Sequence, residues 1–313
     1  MFTLRRFKPL YWIYNLLHYR KLVHNKAAFK ESGLHKPLYA SLSAKDFPDK
    51  ESRAWLDTGD SSQIAASNPS FNNFTPTVKN KILRWSEDGY MILQHFFEED
   101  TVDEMNDEIS SLMRRGKLKF ENGNKLMFAN HKSELIKKIT KNERLLAILN
   151  FLLGKEVIPF STINFITGSQ QRAHSDSIHM TTYPLGFLVA VWIALEDITA
   201  DNGPLFYYPG SHKLPYLLNN DFNEGETALL TGRKDYSDYE DLIEEKVKAN
   251  GYKKEVFLAK KGDLFIWHAN FVHGGSPVLN KAMTRKSMVI HYFAKDVIKY
   301  HEITERPSLI DIS

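Results

Sequence analysis

The sequence predicts a mainly β protein with supporting helices, its strands arranged as an antiparallel barrel or sandwich. Three observations carry this expectation. Up to Gly154, apolar residues recur at helical spacing in several segments. After Gly154, short runs rich in β-branched and aromatic residues take over. Turn-forming clusters separate those runs: Asn202-Gly203-Pro204, Pro209-Gly210-Ser211, Lys261-Gly262-Asp263 and Gly274-Gly275-Ser276-Pro277. Many short strands divided by turns close most readily into a barrel or sandwich.

Residues 1–30 read as a basic, aromatic amphipathic helix, interrupted near Pro9. No acidic residue occurs among them, whereas Arg5, Arg6, Lys8, Arg20, Lys21, Lys26 and Lys30 do. Such a helix can lie on an anionic membrane surface. It can equally dock on the domain through Trp12 and Leu16. A signal peptide is not expected, because no small-residue cleavage site follows the short apolar run. Residues 31–75 are punctuated by Pro37, Pro48 and Pro69 and read as an irregular wrap. Together, 1–75 form an N-terminal segment, 76–305 the main domain and 306–313 a C-terminal tail.

Within the domain, a short helix is expected at 77–87 and a strand at 90–97. A helix at 98–115 buries Val102, Met105, Ile109 and Leu112. Another at 131–153 ends at Gly154. Strands are expected at 157–166, 186–195, 205–208, 254–258, 263–267 and 287–293. A polar insert at 236–250 reads as a helix whose acidic residues form a solvated face.

Composition narrows the function. The chain has 313 residues, 42% hydrophobic and 25% charged, with a net charge of +3. That charge is too small to point to nucleic acid. There is no cysteine, which excludes disulfides and cysteine-ligated metal sites. It fits a reducing compartment, so a cytoplasmic location is expected, with membrane-surface contact through residues 1–30. Histidine, aspartate and glutamate remain as the strong metal ligands. The P-loop, dinucleotide, nucleophile-elbow and H-E-x-x-H signatures are missing.

The strongest chemical signal is His174-Ser175-Asp176. On extended backbone, residues i and i+2 face the same way, so an imidazole and a carboxylate can reach one ion. A second imidazole from a distant strand would complete a two-histidine, one-carboxylate facial triad, the ligand set of non-haem Fe(II) oxygenases. His212, His268, His273 and His291 are candidates. His273 is preferred because Arg285 follows on the next expected strand. Arginine forks onto a carboxylate and stays charged.

From about residue 85 to 295, the sequence resembles the phytanoyl-CoA dioxygenase family of Fe(II)/2-oxoglutarate oxygenases. The resemblance rests on Asp88-Gly89-Tyr90, His174-Ser175-Asp176-Ser177-Ile178-His179 and Val191-Trp192-Ile193-Ala194-Leu195-Glu196-Asp197. It continues through Asp201-Asn202-Gly203-Pro204-Leu205, Tyr208-Pro209-Gly210-Ser211-His212-Lys213 and Gly262-Asp263-Leu264-Phe265-Ile266-Trp267-His268. His273-Gly274-Gly275-Ser276 with Arg285 completes it.

The resemblance implies a double-stranded β-helix, a cupin-like jelly-roll barrel. It implies that His174, Asp176 and His273 bind Fe(II) and that Arg285, helped by Ser276, holds 2-oxoglutarate. It also implies that Trp192 and a polar residue on the preceding strand, Asn164 or Thr162, line the pocket. Where the family often has serine two residues after the distal histidine, this chain has Gly275; one inserted glycine would account for Ser276 and the longer spacing to Arg285. Retention of Asp176 implies hydroxylation rather than halogenation, with O2 as oxidant and a small-molecule, lipid or glycolipid substrate. His179, Tyr183 and His268 are expected near the cavity. Two other classes share the barrel: a cupin-like metal- or sugar-binding protein without oxygenase activity, and a catalytically inactive membrane-surface adaptor.

Overall fold

A computed structural model describes residues 6–47 and 49–310. Arg5, Pro48 and the end of the expected tail lie outside the described residues. Among the described residues, thirteen strands follow one another: β1 (Tyr90–Leu93), β2 (Phe120–Glu121), β3 (Lys125–Met127), β4 (Val157–Phe165), β5 (Thr181–Tyr183), β6 (Leu188–Ala194), β7 (Leu205–Tyr207), β8 (Glu255–Phe257), β9 (Leu264–His268), β10 (His273–Gly275), β11 (Ser287–Ala294), β12 (Ile298–His301) and β13 (Arg306–Pro307). They form an antiparallel sheet in the order β1-β9-β6-β11-β4-β3-β2 and two smaller ones, β10-β7-β8 and β13-β12-β5.

The period of two explains how the layers pack. On one face of the large sheet, Val189, Val191, Ile193, Leu264, Ile266, Met288 and Ile290 join the residues that helices Glu99–Arg114 and Glu143–Leu153 bury. On the other face, Ala190, Trp192, Ala194, Phe265, Trp267 and Val289 meet Leu205, Tyr207 and Phe257 of the β10-β7-β8 sheet. Two sheets thus enclose a common core, backed on one side by helices. This is the jelly-roll architecture, although more residues lie in helices than in strands. β6 is buried along its whole length because both its faces are covered.

Several boundaries differ from expectation for local reasons. The expected helix 131–153 is two helices, Glu134–Thr140 and Glu143–Leu153. Asn142 divides them, its side chain capping the second by accepting from the Leu145 N–H at 3.0 Å. The expected strand 90–97 stops at Leu93. His95 takes a positive φ of 49°, and Phe96 and Phe97 then donate to the Gly262 carbonyl. Segment 31–75 is not irregular throughout, since helix Ser61–Ile64 and several 3-10 turns punctuate it.

Pro9 lies in the first turn of helix Lys8–Leu17 and starts the helix rather than interrupting it. Leu22, Phe29, Leu38, Leu42 and Phe47 pack against Ile298 and Tyr300 of β12. Trp12 donates to Ser41 Oγ at 2.9 Å, whereas Leu16 stays 56% exposed. The segment therefore packs through Lys8, Trp12, Asn15 and the residues beyond Leu17, with Leu16 left outward. Among the described residues, no helix is long and apolar enough to cross a membrane.

Candidate active site

His174 and His273 are direct antiparallel partners. Each donates its backbone N–H to the other's carbonyl, at 2.9 and 3.0 Å. That bridge sets their rings 4.5 Å apart. Ser175 between them and Asp176 is extended (φ −108°, ψ 150°), so Asp176 returns to the face of His174. Asp176 then opens a 3-10 turn over Asp176–Ile178. Tyr239, from helix Tyr236–Ala249, pins the triplet. Its hydroxyl accepts from the Ser175 N–H at 3.0 Å and lies 3.0 Å from Ser175 Oγ.

Ligand atoms of His174, Asp176 and His273 lie within 4.8 Å of one another, and all three residues are buried. The ring orientations suit metal binding. Nδ1 of His174 is 2.9 Å from the Arg172 carbonyl, and Nδ1 of His273 is 3.1 Å from the Phe271 carbonyl. A carbonyl only accepts, so both Nδ1 atoms carry the proton and both Nε2 lone pairs face the cluster. The Gln171 amide meets the lone pair of His174 at 3.2 Å. Trp267 donates to Asp176 Oδ2 at 2.7 Å, and His291 Nε2 lies 3.5 Å from that same oxygen.

Electrostatics agree with a ligand set. Burial, reinforced by His273, holds His174 well below the ordinary imidazole range, with Asp176 opposing in part. Burial lowers His273 as well, again against Asp176. Burial would raise the Asp176 carboxyl, but His291, His273 and His174 outweigh it and hold it low. Two neutral imidazoles and one carboxylate are the deprotonated forms a divalent metal requires.

A cavity of about 990 Å³ opens onto this cluster. Arg285 and Trp192 share it. The Arg285 guanidinium is 2% exposed and makes no ion pair among the described residues. It donates to the Gly203 carbonyl at 2.9 Å and to Ser287 Oγ at 2.6 Å. Its Cζ lies 5.8 Å from the Phe165 ring and 5.5 Å from the Trp192 ring. Burial pushes its pKa down from 12.5 to about 10. The Trp192 Nε1 donor is buried without a partner among the described residues. An unneutralised guanidinium and an orphaned N–H beside a metal-ligand cluster fit a small dicarboxylate such as 2-oxoglutarate.

The structure thus gathers His174, Asp176, His273, Arg285 and Trp192 around one cavity, but not Ser276 or Asn164. Ser276 is tied through its backbone N–H to the Pro204 carbonyl, and the hydroxyl that meets Arg285 belongs to Ser287. On β4, Ser161, Ile163 and Phe165 line the cavity. Asn164 and Thr162 alternate onto the opposite face, where Thr162 donates to Asn130 Oδ1 at 3.1 Å. His179 lines the cavity, whereas Tyr183 stacks on Phe47 and His268 bonds Asp57 at 2.9 Å. Trp267 and Tyr239 carry no signal in the sequence, and His291, a candidate second ligand there, instead stands beside the carboxylate of Asp176. Counting by twos from Arg285 along the next strand reaches Ser287, Val289 and His291, which would have placed His291 inward.

A buried His-x-Asp and distal His cluster inside a jelly roll is the donor set that could hold one metal ion as in the mononuclear non-haem oxygenase class. Residues 85–287 match the family described as phytanoyl-CoA dioxygenase (PhyH), and the chain belongs to that family. Phytanoyl-CoA dioxygenase domain-containing protein 1 of Danio rerio is 26% identical over 192 residues, covering 58% of each chain. Ectoine dioxygenase of Stutzerimonas stutzeri (strain A1501) is 30% identical over 156 residues, covering 44% of this chain and 51% of that one. The chain therefore spans between about half and three-fifths of the length of these relatives. Among solved structures, a non-heme alpha ketoglutarate dependent carbocyclase from nogalamycin biosynthesis superposes with a TM-score of 0.58 at 16% identity. That match covers 73% of this chain and 87% of the other, and shares the fold.

Proposed function

We propose that the protein is an Fe(II)- and 2-oxoglutarate-dependent dioxygenase that hydroxylates an unactivated C–H bond of a small-molecule or lipid-like substrate. One oxygen atom of O2 enters the product alcohol. The other enters succinate as 2-oxoglutarate loses carbon dioxide. The observation that carries this reading is the buried His174-Asp176-His273 cluster sharing a cavity with Arg285, a guanidinium without a carboxylate partner.

His174, Asp176 and His273 would hold the metal, which when bound supplies oxygen activation coupled to oxidative decarboxylation of the keto acid. The chain's own residues set the conditions. The Arg172 and Phe271 carbonyls keep the two imidazoles in the ligating tautomer. Trp267 fixes the carboxylate of Asp176 through its 2.7 Å hydrogen bond. Arg285 and Trp192 would orient the distal carboxylate of 2-oxoglutarate. Phe165, Leu205 and Val289 form apolar wall that excludes water.

The division into an N-terminal wrap (1–75), an oxygenase domain (76–305) and a tail (306–313) is part of this proposal. Peripheral contact with an anionic membrane surface is another part. Leu10, Ile13, Tyr14 and Leu17, at spacings of three and four, are 44%, 61%, 46% and 78% exposed. Lys8 and Asn15 are buried on the other side of the same helix. Arg20, Lys26 and Lys30 are exposed nearby, which suits anionic headgroups.

The test is succinate formation from 2-oxoglutarate in air with Fe(II). Wild type should form succinate, His174→Ala and Asp176→Ala should not, and Arg285→Met should need about 10- to 100-fold more 2-oxoglutarate to do so. Wild-type turnover in all three variants would remove the proposal.

A further inference from the structure

The proposed chemistry does not use every charge in the cavity. Among the described residues that line it, those of fixed charge are Lys125, Arg285, Arg306 and Asp176. The last is the lone carboxylate. With Fe(II) and 2-oxoglutarate in place, the two positive charges of the metal and that of Arg285 cancel Asp176 and the two carboxylates of the diacid. Lys125 and Arg306 are left over.

Neither cation makes an ion pair among the described residues. Lys125 begins β3; its cross-strand partner Glu121 is exposed to solvent and forms no ion pair with it. Leu126, the next residue, is buried in the core, so Lys125 and Met127 face the cavity by alternation. The ammonium is half-buried and feels Asp176 across the cavity. Burial lowers its pKa, and Asp176 opposes this only in part. Arg306, on β13, donates through Nε to Thr304 Oγ1 at 3.0 Å and lies 4.7 Å from the Tyr11 ring. Its remaining guanidinium donors have no carboxylate. His179 and His301 line the same cavity, ring centroids 5.7 Å apart. Burial pushes their pKa values to about 3 and about 4, so both are neutral donors and acceptors rather than further cations.

Partly desolvated cations without counterions are costly unless a ligand supplies the missing charge. Apolar walls lie close by: Met127, Phe128, Phe160, Met180 and Leu309 line the same cavity. We infer that Lys125 and Arg306 form an anion-recognition subsite that holds a carboxylate or phosphate group of an amphipathic substrate, with its carbon skeleton directed along the apolar wall toward His174 and His273. This rests on the proposed oxygenase reading for the part played by the triad, but the anion subsite can be measured separately.

The experiment is calorimetric titration of the full chain with four probes that share one alkyl chain: octyl phosphate, octanoate, octanol and octylamine. Octyl phosphate or octanoate should bind at least about tenfold more tightly than octanol, the effect of one charge-assisted hydrogen bond. The stronger of the two identifies the headgroup. Octylamine should bind more weakly still. Lys125→Met and Arg306→Gln should each lose about tenfold for the anionic probes and leave octanol unchanged, with Lys125→Arg restoring the preference. Anionic binding unchanged in both variants, or octylamine bound as tightly as octyl phosphate, would overturn the subsite. A separate anaerobic addition of Fe(II) and 2-oxoglutarate distinguishes the two readings. Anion preference without a visible charge-transfer band removes the oxygenase and keeps the subsite. The band without anion preference does the reverse.

Discussion

Arg285→Met isolates the part of the site that distinguishes a 2-oxoglutarate enzyme from a bare metal protein. Burial lowers the guanidinium pKa from 12.5 to about 10, which corresponds to about 3 kcal/mol against the charged form. Methionine removes that cost. It also strips two buried acceptors, the Gly203 carbonyl and Ser287 Oγ, of their donor. Losses of that kind run at about 1–3 kcal/mol each. The two effects oppose each other, so the melting temperature should stay within a few degrees of wild type. Ligand affinity has no such compensation. A forked, charge-assisted pair with a carboxylate contributes about 1.5–3 kcal/mol, so 2-oxoglutarate should bind about 10- to 100-fold more weakly. Calorimetry of 2-oxoglutarate against the Mn(II)-loaded protein, which does not turn over, measures this directly. Unchanged affinity would refute the assignment. A collapse of the melting temperature would show instead that Arg285 is a structural cation.

Other consequences follow from single contacts. Trp267→Phe removes the 2.7 Å hydrogen bond to Asp176 and should weaken Mn(II) binding by about 10- to 100-fold; equal affinity would show that the carboxylate needs no support. Glu302 is fully buried, and burial pushes its carboxyl from 4.5 up to about 7, with the Asn219 N–H and Tyr300 opposing. Its folded pKa lies above its unfolded one, so the stability it contributes is present below about pH 4.5 and lost as the pH rises through about 7. Glu302→Gln should therefore melt above wild type at pH 8, by an amount equivalent to about 3 kcal/mol, and close to it at pH 4.5; a pH-independent difference would contradict this. Ile13→Asp with Leu17→Asp should abolish flotation with phosphatidylserine-containing vesicles and leave the melting temperature unchanged, because both side chains are exposed; undiminished flotation would remove the membrane reading.

Much of the barrel was legible because its strands are apolar where they are covered. Val157–Phe165, Leu188–Ala194, Leu264–His268 and Ser287–Ala294 all fall on expected strands. The strands that were missed are short or polar. β2 and β3 hold two and three residues around Asn122-Gly123, a strong hairpin turn signal flanked by too little apolar pattern. β10 is His-Gly-Gly, and its identity as a strand comes from pairing with β7, a non-local contact. β12 and β13 carry Lys299, His301 and Arg306, whose polarity conceals a strand that packs against the N-terminal segment.

At the site, the residue types were legible and the faces were not. The His-x-Asp spacing and a late arginine could be read along the chain, whereas pairing His174 with His273 depends on a bridge between distant residues. Asn164 was chosen on β4 one residue out of phase with Ile163 and Phe165, and on a strand that error reverses the face. The helix at 236–249 was read only as a solvated insert. Its apolar residues Ile243 and Val247 are buried, and its Tyr239 holds the metal-ligand triplet from behind.

Anaerobic visible spectroscopy reaches the central claim most directly. Fe(II) is added to the protein, then 2-oxoglutarate. Wild type should develop a weak visible charge-transfer band on the second addition, and Asp176→Leu and His273→Leu should not. A band that persists in both variants, or a wild-type protein that takes up iron stoichiometrically and shows no band, would contradict the assignment of this cluster as the iron and 2-oxoglutarate site.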